Sequence, residues 1–545
     1  MDNYNVLRYK LVAILLLFFP VIVATGSESA YKFRIYLKDK GETQFSTENP
    51  HDYLSQKAID RRLRQNILID KTDLPISPQY ISRIEALGCE VVAKSKWLAS
   101  VTVHCEDSLL VEEIKGLDFV KGAVLVWKKQ SLQKSAKRST YSRVAKESFE
   151  EYYQAAYEQI AIHNGDSLHR AGFRGAGMEI AVIDAGFKDL DENALLENIT
   201  VKGRKNFIYS KDDAYEVDHG LRVLSCMATN LPGIYIGTAP DAQYWLFQTE
   251  NPVSEYPVEE DYWVAAAEYA DSVGVDMINS SLGYSSFDDS KMNYTYSQID
   301  GNTIFVTKGA AMASDKGILI VSSAGNEGSN TWRHITAPAD AKDVLTVGAI
   351  KKDSLLIPFS SRGPTVDFRI KPDVVAVGSS ASTVTVSGNI GDTSGTSFSS
   401  PIMCGLVACL WQAYPNLTNK ELIEIVRKSS NKYPEPDNNY GYGIPDMIKA
   451  MDLAKETEQT AVSQFSQLNE NIRILFDSTG YIRIMNDLDD NLYYTVHIYS
   501  VDGKRIITDT FRGKEKVYQL EKRKNALYIV NVRSKSFSVT GKGFF

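Results

Sequence analysis

Cysteine is scarce in this chain: five in 545 residues, an odd number that builds no disulfide framework. Cys226, Cys404 and Cys409 fall in apolar runs of helical character, where a small buried residue is the expected state. No cysteine or histidine spacing matches a metal site, so none is assigned. Positive charge is in deficit, with 60 Lys and Arg against 68 Asp and Glu and a net charge of −8. That balance argues against a nucleic-acid partner, which would want a basic face. Long apolar runs are missing beyond Val23, so no later segment is predicted to cross a membrane.

The one long apolar run, Leu11 to Val23, follows Arg8 and Lys10 and precedes the small residues Ala24, Thr25 and Gly26. This pattern predicts a secretory signal peptide over residues 1–26, and hence a secreted or cell-surface protein. The run is short for a membrane span, and no cysteine near the cleavage region invites lipid attachment. Hydrophobic and charged contents of 43% and 23% are those of a soluble globular chain. The length suggests about three domains.

Residues 27–130 alternate short strands and helices. Tyr31–Leu37 alternates at period two, Tyr53–Gln65 reads as a basic amphipathic helix, and strand-like Glu90–Ala93, Leu98–Val103 and Phe119–Val126 surround a helical Ser108–Lys115. A small α+β domain of the split βαβ kind fits that order. Residues 131–150 shift to Lys, Arg, Ser and Gln, which reads as a linker open to proteolysis. Residues 151–456 hold apolar strands (Glu179–Ile183, Val275–Ile278, Ile318–Val321, Val344–Val347) between helical stretches such as Tyr262–Ser272 and Gly309–Asp315. Buried strands alternating with helices predict an α/β parallel sheet covered on both faces, with working residues at the carboxyl ends of strands. Residues 457–545 revert to short alternating strands with a hairpin turn at Val501–Lys504, which predicts a small β-sandwich.

Four places in the central block carry candidate chemistry. Asp184 ends the strand Glu179–Ile183, and His219 stands between Asp218 and Gly220 before an apolar helix. Asn326 lies in the turn Ser323–Gly328 after a strand, and Ser397 lies in Gly395–Pro401 ahead of the apolar run Ile402–Trp411. Taken singly, each has a plainer role: turn residue, helix cap, left-handed turn residue and N-cap serine. A Gly-x-Ser-x-Gly elbow is excluded, because Ser399 occupies its second glycine position. Pro401 is expected in the first turn of the helix, with Ser397 at the positive end of the helix dipole beside unpaired N–H groups.

Together, and in this chain order, the motifs resemble those of subtilisin-like serine proteases. The resemblance spans residues 151 to about 455 and rests on Ala181–Asp184, His219-Gly220, Asn279–Gly283, Ser322–Gly328, Phe359–Pro364, Lys371–Asp373 and Gly395–Pro401. It implies Ser397 as nucleophile, His219 as general base and then acid, and Asp184 as the residue that orients the imidazole. Asn326 and the Ser397 N–H would bind the oxyanion. Ser280, Leu282 and Gly283 would pair with substrate backbone, and Ser323, Ala324 and Gly325 would wall the pocket for the residue before the cut. The family often carries structural calcium; no acidic loop here has a ligand spacing that assigns it, and no other cofactor is expected.

Two positions depart from the family. Leu221 stands where a small Thr or Ser is usual, and Arg222 follows at i+3 from His219, where a cation disfavours the imidazolium. Residues 285–302 form a polar, Tyr-rich insertion near the substrate segment. With the family in view, residues 27–130 resemble a propeptide that assists folding and inhibits the site until removed. Residues 457–545 resemble the sorting domains of type IX secretion cargo, through Ile498–Lys504 and Leu527–Val530. The implied function is a secreted serine endopeptidase acting on proteins or peptides, with its own propeptide as inhibitor and the secretion machinery as a partner. The alternatives are a catalytically silent surface-binding protein on the same fold, and an exopeptidase variant.

Overall fold

A computed structural model describes residues 30–129, 150–209, 217–476, 480–487, 493–500, 505–520, 527–533 and 538–544. The signal peptide, nearly all of the linker and the Val501–Lys504 turn lie outside the described residues. The central block is built on seven strands. Their spatial order is Val374–Val377, Leu345–Ile350, Leu319–Ser323, Met277–Ser280, Glu179–Asp184, Gln243–Gln248 and Thr200–Asn206, and every neighbouring pair is parallel. Successive side chains of a strand face opposite ways. Ile180, Val182, Leu246 and Val321 therefore pack against the helices His219–Ala228 and Thr396–Ala413, in one core. Ala181, Ile183, Phe247 and Ile320 enter a second core with the helices Val258–Val273 and Phe305–Asp315. This is the doubly covered α/β sheet of the subtilisin fold, and it explains why its strands read as unbroken apolar runs.

The N-terminal residues form a four-stranded antiparallel sheet in the order Glu90–Ser95, Ser100–Cys105, Tyr31–Leu37, Val120–Lys128. A disulfide joins Cys89 to Cys105 across its edge pair, while Cys226, Cys404 and Cys409 are buried and free. The sheet docks on the helix Val258–Val273, and Trp97 and Tyr36 extend the second core. Charge is buried at this junction. Arg34 donates to both oxygens of Asp261, at 2.7 and 2.5 Å, and Glu268 accepts from the Ser95 hydroxyl and the Lys96 and Trp97 amides. The basic helix Gln56–Arg64 turns Arg61 and Arg62 inward onto Asp271, with Asp73 as a further partner of Arg62. Its basic character thus serves packing against the central domain.

Beyond the sheet, one helix runs from Met447 to Asn471 without a glycine or proline to stop it. The boundary expected at 456/457 falls inside that helix, so the compositional break does not coincide with a structural one. Met447, Ala450 and Ala454 belong to the first core of the central sheet. The C-terminal strands form two antiparallel sheets, of three and four strands. Ile482 and Ile484 of one meet Val496, Ile498, Val530 and Val532 of the other in a separate core.

Removing one partner from a buried ion pair leaves an uncompensated charge and costs about 3–5 kcal/mol. Asp271→Ala is therefore expected to loosen the N-terminal domain. Hydrogen exchange of the full chain should show lost protection across Gln56–Arg64 while Glu179–Asp184 stays protected. Unchanged protection of the helix would refute the role given to this pair.

Candidate active site

Asp184 closes its strand at the carboxyl end of the sheet, fully buried. One carboxylate oxygen accepts from the Ala185 N–H at 2.8 Å and from His219 Nδ1 at 2.6 Å. His219 opens the helix His219–Ala228, and Gly220 lets it come close: a Cβ there would stand 2.6 Å from Gly186 O and 3.0 Å from Asp184 Cβ. With Nδ1 committed to Asp184, Nε2 is left for the site. Burial opposes protonation of the ring, but the charge and hydrogen bond of Asp184, helped by Asp218, outweigh it and hold the imidazole above its ordinary value. Arg222 acts the other way, and its guanidinium is itself paired with Asp218, at 2.9 Å from Nε. Leu221 faces the core, fully buried. Neither departure from the family pattern therefore occupies the site.

Ser397 sits in the first turn of the helix Thr396–Ala413 and is 8% exposed. Pro401 lies one turn further in than its expected place at the helix start, because the helix begins at Thr396. A proline there has no N–H for the carbonyl of residue 397. Ser281 replaces it: its Oγ donates to Ser397 O at 2.8 Å, and Ser397 Oγ donates back to Ser281 O at 3.2 Å. Asn279 extends the lattice, donating to Ser281 Oγ and accepting from Ser400 Oγ. Asn326 is fixed from the other side. Its Oδ1 accepts from the Thr396 N–H at 2.9 Å and the Thr396 hydroxyl at 3.0 Å. The amide NH₂ group is thereby left as an exposed donor beside the start of the helix.

A cavity of about 400 Å³ opens beside His219, lined by Ala185, Glu250–Glu255 and Ser281–Gly283. Burial pushes Glu250 up to about 7, against the lowering effect of the Tyr284 and Thr249 hydroxyls that it accepts, and burial also raises Glu259. Glu250, Glu255 and Glu259 bring carboxylate oxygens within 4.8 Å of one another, the described acidic group nearest to a metal-binding arrangement. Glu259 already accepts the Asn251 and Tyr256 N–H groups, so part of that oxygen set serves the loop itself. Leu282 and Gly283 line the cavity, while Ser323, Ala324 and Gly325 lie buried behind them. Ser280 does not reach it: its hydroxyl is fully buried and accepts from Trp263 Nε1 at 2.9 Å. Alternation along the strand turns residue 280 into the core and leaves Ser281 at the site. The Tyr-rich insertion packs inward, with Tyr294 on Glu260 and Tyr296 stacked on His334.

Ser281 and Thr396 fall within the motifs Asn279–Gly283 and Gly395–Pro401 without a role of their own, and sequence reasoning missed the loop Glu250–Glu255. The strand Gln243–Gln248, with the unbroken apolar run Tyr244–Phe247, was the available sign that a loop at the carboxyl end of the sheet should follow it.

Comparisons with known proteins agree with this geometry. Residues 175–443 match the subtilase family, and residues 32–143 match the peptidase S8 propeptide domain of Bacteroidota. Subtilisin E of Bacillus subtilis (strain 168) is 26% identical over 299 residues, covering 54% of this chain and 71% of its own. The subtilisin of Bacillus pumilus is 26% identical over 283 residues, covering 51% and 92%. The membrane-bound transcription factor site-1 protease of Rattus norvegicus is 30% identical over 303 residues, covering 53% and 26%.

The charges around His219 set a direction for its titration. Arg222→Gln removes an opposing cation and frees Asp218, so the imidazole should hold its proton to higher pH. Asp184→Asn should leave burial dominant and lower the titration below its ordinary value. NMR of the ring in a Ser397→Ala background reads both; shifts of the opposite sign would refute the assignment.

Proposed function

Since the chain carries a subtilase domain behind a peptidase S8 propeptide domain, we propose that it is a secreted serine endopeptidase held inactive by its N-terminal domain. The observation that carries the reading is the Asp184–His219 hydrogen bond, at 2.6 Å, with His219 lining one cavity together with Ser281, to which Ser397 in the first turn of a buried helix is hydrogen-bonded. Ser397 Oγ turns from Ser281 O towards His219 Nε2 and attacks the scissile carbonyl, and its proton passes to the imidazole. Asp184 stabilises the imidazolium that forms. The carbonyl oxygen, now negative, is held by the Asn326 amide and the Ser397 N–H; losing one such donor costs about 10²–10³ in turnover. The tetrahedral centre then collapses, the amine leaves with the proton from Nε2, and water attacks the acyl-enzyme by the same route.

The N-terminal domain supports the inhibitory reading. Its last strand ends at Lys128, whose ammonium is 2.7 Å from Asp289. Neighbouring Asp288 exchanges backbone and side-chain hydrogen bonds with Glu255 at the cavity. The chain is thus delivered to the mouth of the site just before residues 131–150, a sensible place for self-cleavage. The C-terminal β-domain is read as a delivery module.

Ser397→Ala is expected to abolish fluorophosphonate labelling and nearly all peptidase activity, and to leave the purified precursor at full length while wild type shortens. Activity within tenfold of wild type would mean another nucleophile. An unlabelled, inert wild type would favour the binding-protein reading. Ending the chain near Gln459 retains Met447, Ala450 and Ala454 against the central core. It should preserve activity on a small peptide while blocking export from the native host. Normal export would reject the delivery role.

A further inference from the structure

The helix Val258–Val273 carries a stripe of carboxylates towards the N-terminal domain. Asp261, Glu268 and Asp271 are spaced by seven and three residues, which puts them along one side of a helix. All three are buried, and they are buried under that domain. Arg34 and the Thr102 hydroxyl donate to Asp261, Arg61 and Arg62 donate to Asp271, and the turn Ser95–Trp97 donates to Glu268. Lys96 Nζ adds a charge 3.8 Å from Asp271. The cations set against the stripe, Arg34, Arg61, Arg62 and Lys96, thus all belong to the N-terminal domain. Phe305 stands beside it, with the Arg34 guanidinium 3.6 Å from its ring centre and Tyr36 meeting it edge-on.

Self-cleavage and departure of the domain strip this face and take its cations away. Residues 30–150 hold more Lys and Arg than Asp and Glu, so what remains is more acidic than the −8 of the whole chain. Such a field draws cationic partners. An apolar patch rimmed by charge marks a docking surface, and the domain shows what fits it: adjacent arginines on one helix, and an arginine laid on an aromatic ring. A partner without cations would bury the carboxylates unpaired and is rejected for that reason. The face also leads to the site. Its helix starts at Val258, three residues after Glu255 at the cavity, and Asp271 lies about 20 Å along it at a rise of about 1.5 Å per residue. About six extended residues span that distance.

We propose that the face formed by Asp261, Glu268 and Asp271, once uncovered, is an exosite that holds protein substrates by a helix bearing adjacent arginines while a neighbouring segment is cleaved at the cavity. The proposal rests on the peptidase reading above. The test uses the active enzyme separated from its N-terminal domain, and three peptides. One is a short cleavable peptide. The second joins that peptide, through about ten Gly and Ser residues, to an alanine-rich helix of about twenty residues with two Arg-Arg pairs. The third replaces those arginines by Gln. Wild type is expected to cleave the Arg substrate with kcat/KM at least tenfold above its Gln twin. The difference should shrink at least threefold in about 0.5 M salt. It should vanish in the Asp261→Asn, Asp271→Asn double variant, which cleaves the short peptide as wild type does.

Equal rates for the two long substrates overturn the proposal. So does an Arg preference that survives in the folded double variant, since recognition then lies in the cleft. An enzyme that is active with its N-terminal domain still seated overturns it as well, because the face is then covered. If the double variant does not fold, the Arg helix without its cleavable segment decides. It should inhibit cleavage of the Arg substrate and spare the short peptide; equal inhibition of both, or of neither, overturns the proposal. Labelling of Ser397 by fluorophosphonate separates the two levels. A labelled enzyme without an Arg preference sinks only the exosite, whereas an unlabelled chain inert on all three peptides sinks both.

Discussion

The catalytic end of the sheet depends on one missing hydrogen. Pro401 cannot donate to the carbonyl of Ser397, and a buried carbonyl without a partner is expensive. Ser281 supplies the donor from the neighbouring strand end, so the helix start is tied to the loop after Met277–Ser280. Asn279 and Ser400 repeat the tie two residues back on the strand and three residues on along the helix. Asn326 and Thr396 make the same kind of join to the strand Leu319–Ser323. The helix that carries Ser397 is thereby registered against two strands by side chains. An ordinary helix bond at residue 401 would have satisfied the carbonyl locally and left that registration to packing alone.

The two-faced sheet then divides labour. One face carries the helices that present His219 and Ser397, and the other receives the N-terminal domain. Asp184 sits at the strand terminus between them, buried, with Ala185 N–H and His219 on one carboxylate oxygen and no partner on the other. A carboxylate so placed has a strong interest in a cation, and the ring bonded to it is His219. That is why the imidazole titrates above its ordinary value in spite of burial.

Much of this was legible in the residues. The strands read as apolar runs because both faces are covered, and Asp184, His219, Asn326 and Ser397 stand where runs end or helices begin. What the chain hides is direction. Ser280 and Ser281 are chemically identical neighbours, and only the strand's alternation, set by where Trp263 lies, sends one to the core and the other to the site. Arg61 and Arg62 lie in a stretch that reads as a basic amphipathic helix, and their burial is not legible there, because Asp271, some 200 residues away, is invisible to local periodicity. The helix start at Thr396 moved Pro401 inward by a turn, and no spacing rule tells a first-turn proline from one whose lost bond is made good by another strand.

Burying so many charges between the N-terminal and central domains calls for its own explanation. Paired charges in an interior gain little over apolar residues of similar size, so Arg34–Asp261 and Arg61–Asp271 add less to affinity than their short distances suggest. Attraction comes from the apolar contacts of Trp97 and Tyr36 in the second core. The charges act through the cost of mismatch. Arg34, Arg61 and Arg62 all reach a carboxylate in this docked position, with Glu268 capping Ser95–Trp97, and sliding the sheet along the helix Val258–Val273 would strand several at once. Each stranded charge costs about 3–5 kcal/mol. Apolar contact therefore brings the domain on, and buried charge admits one register, the one that pairs Lys128 with Asp289, next to the Asp288 bonded to the cavity residue Glu255.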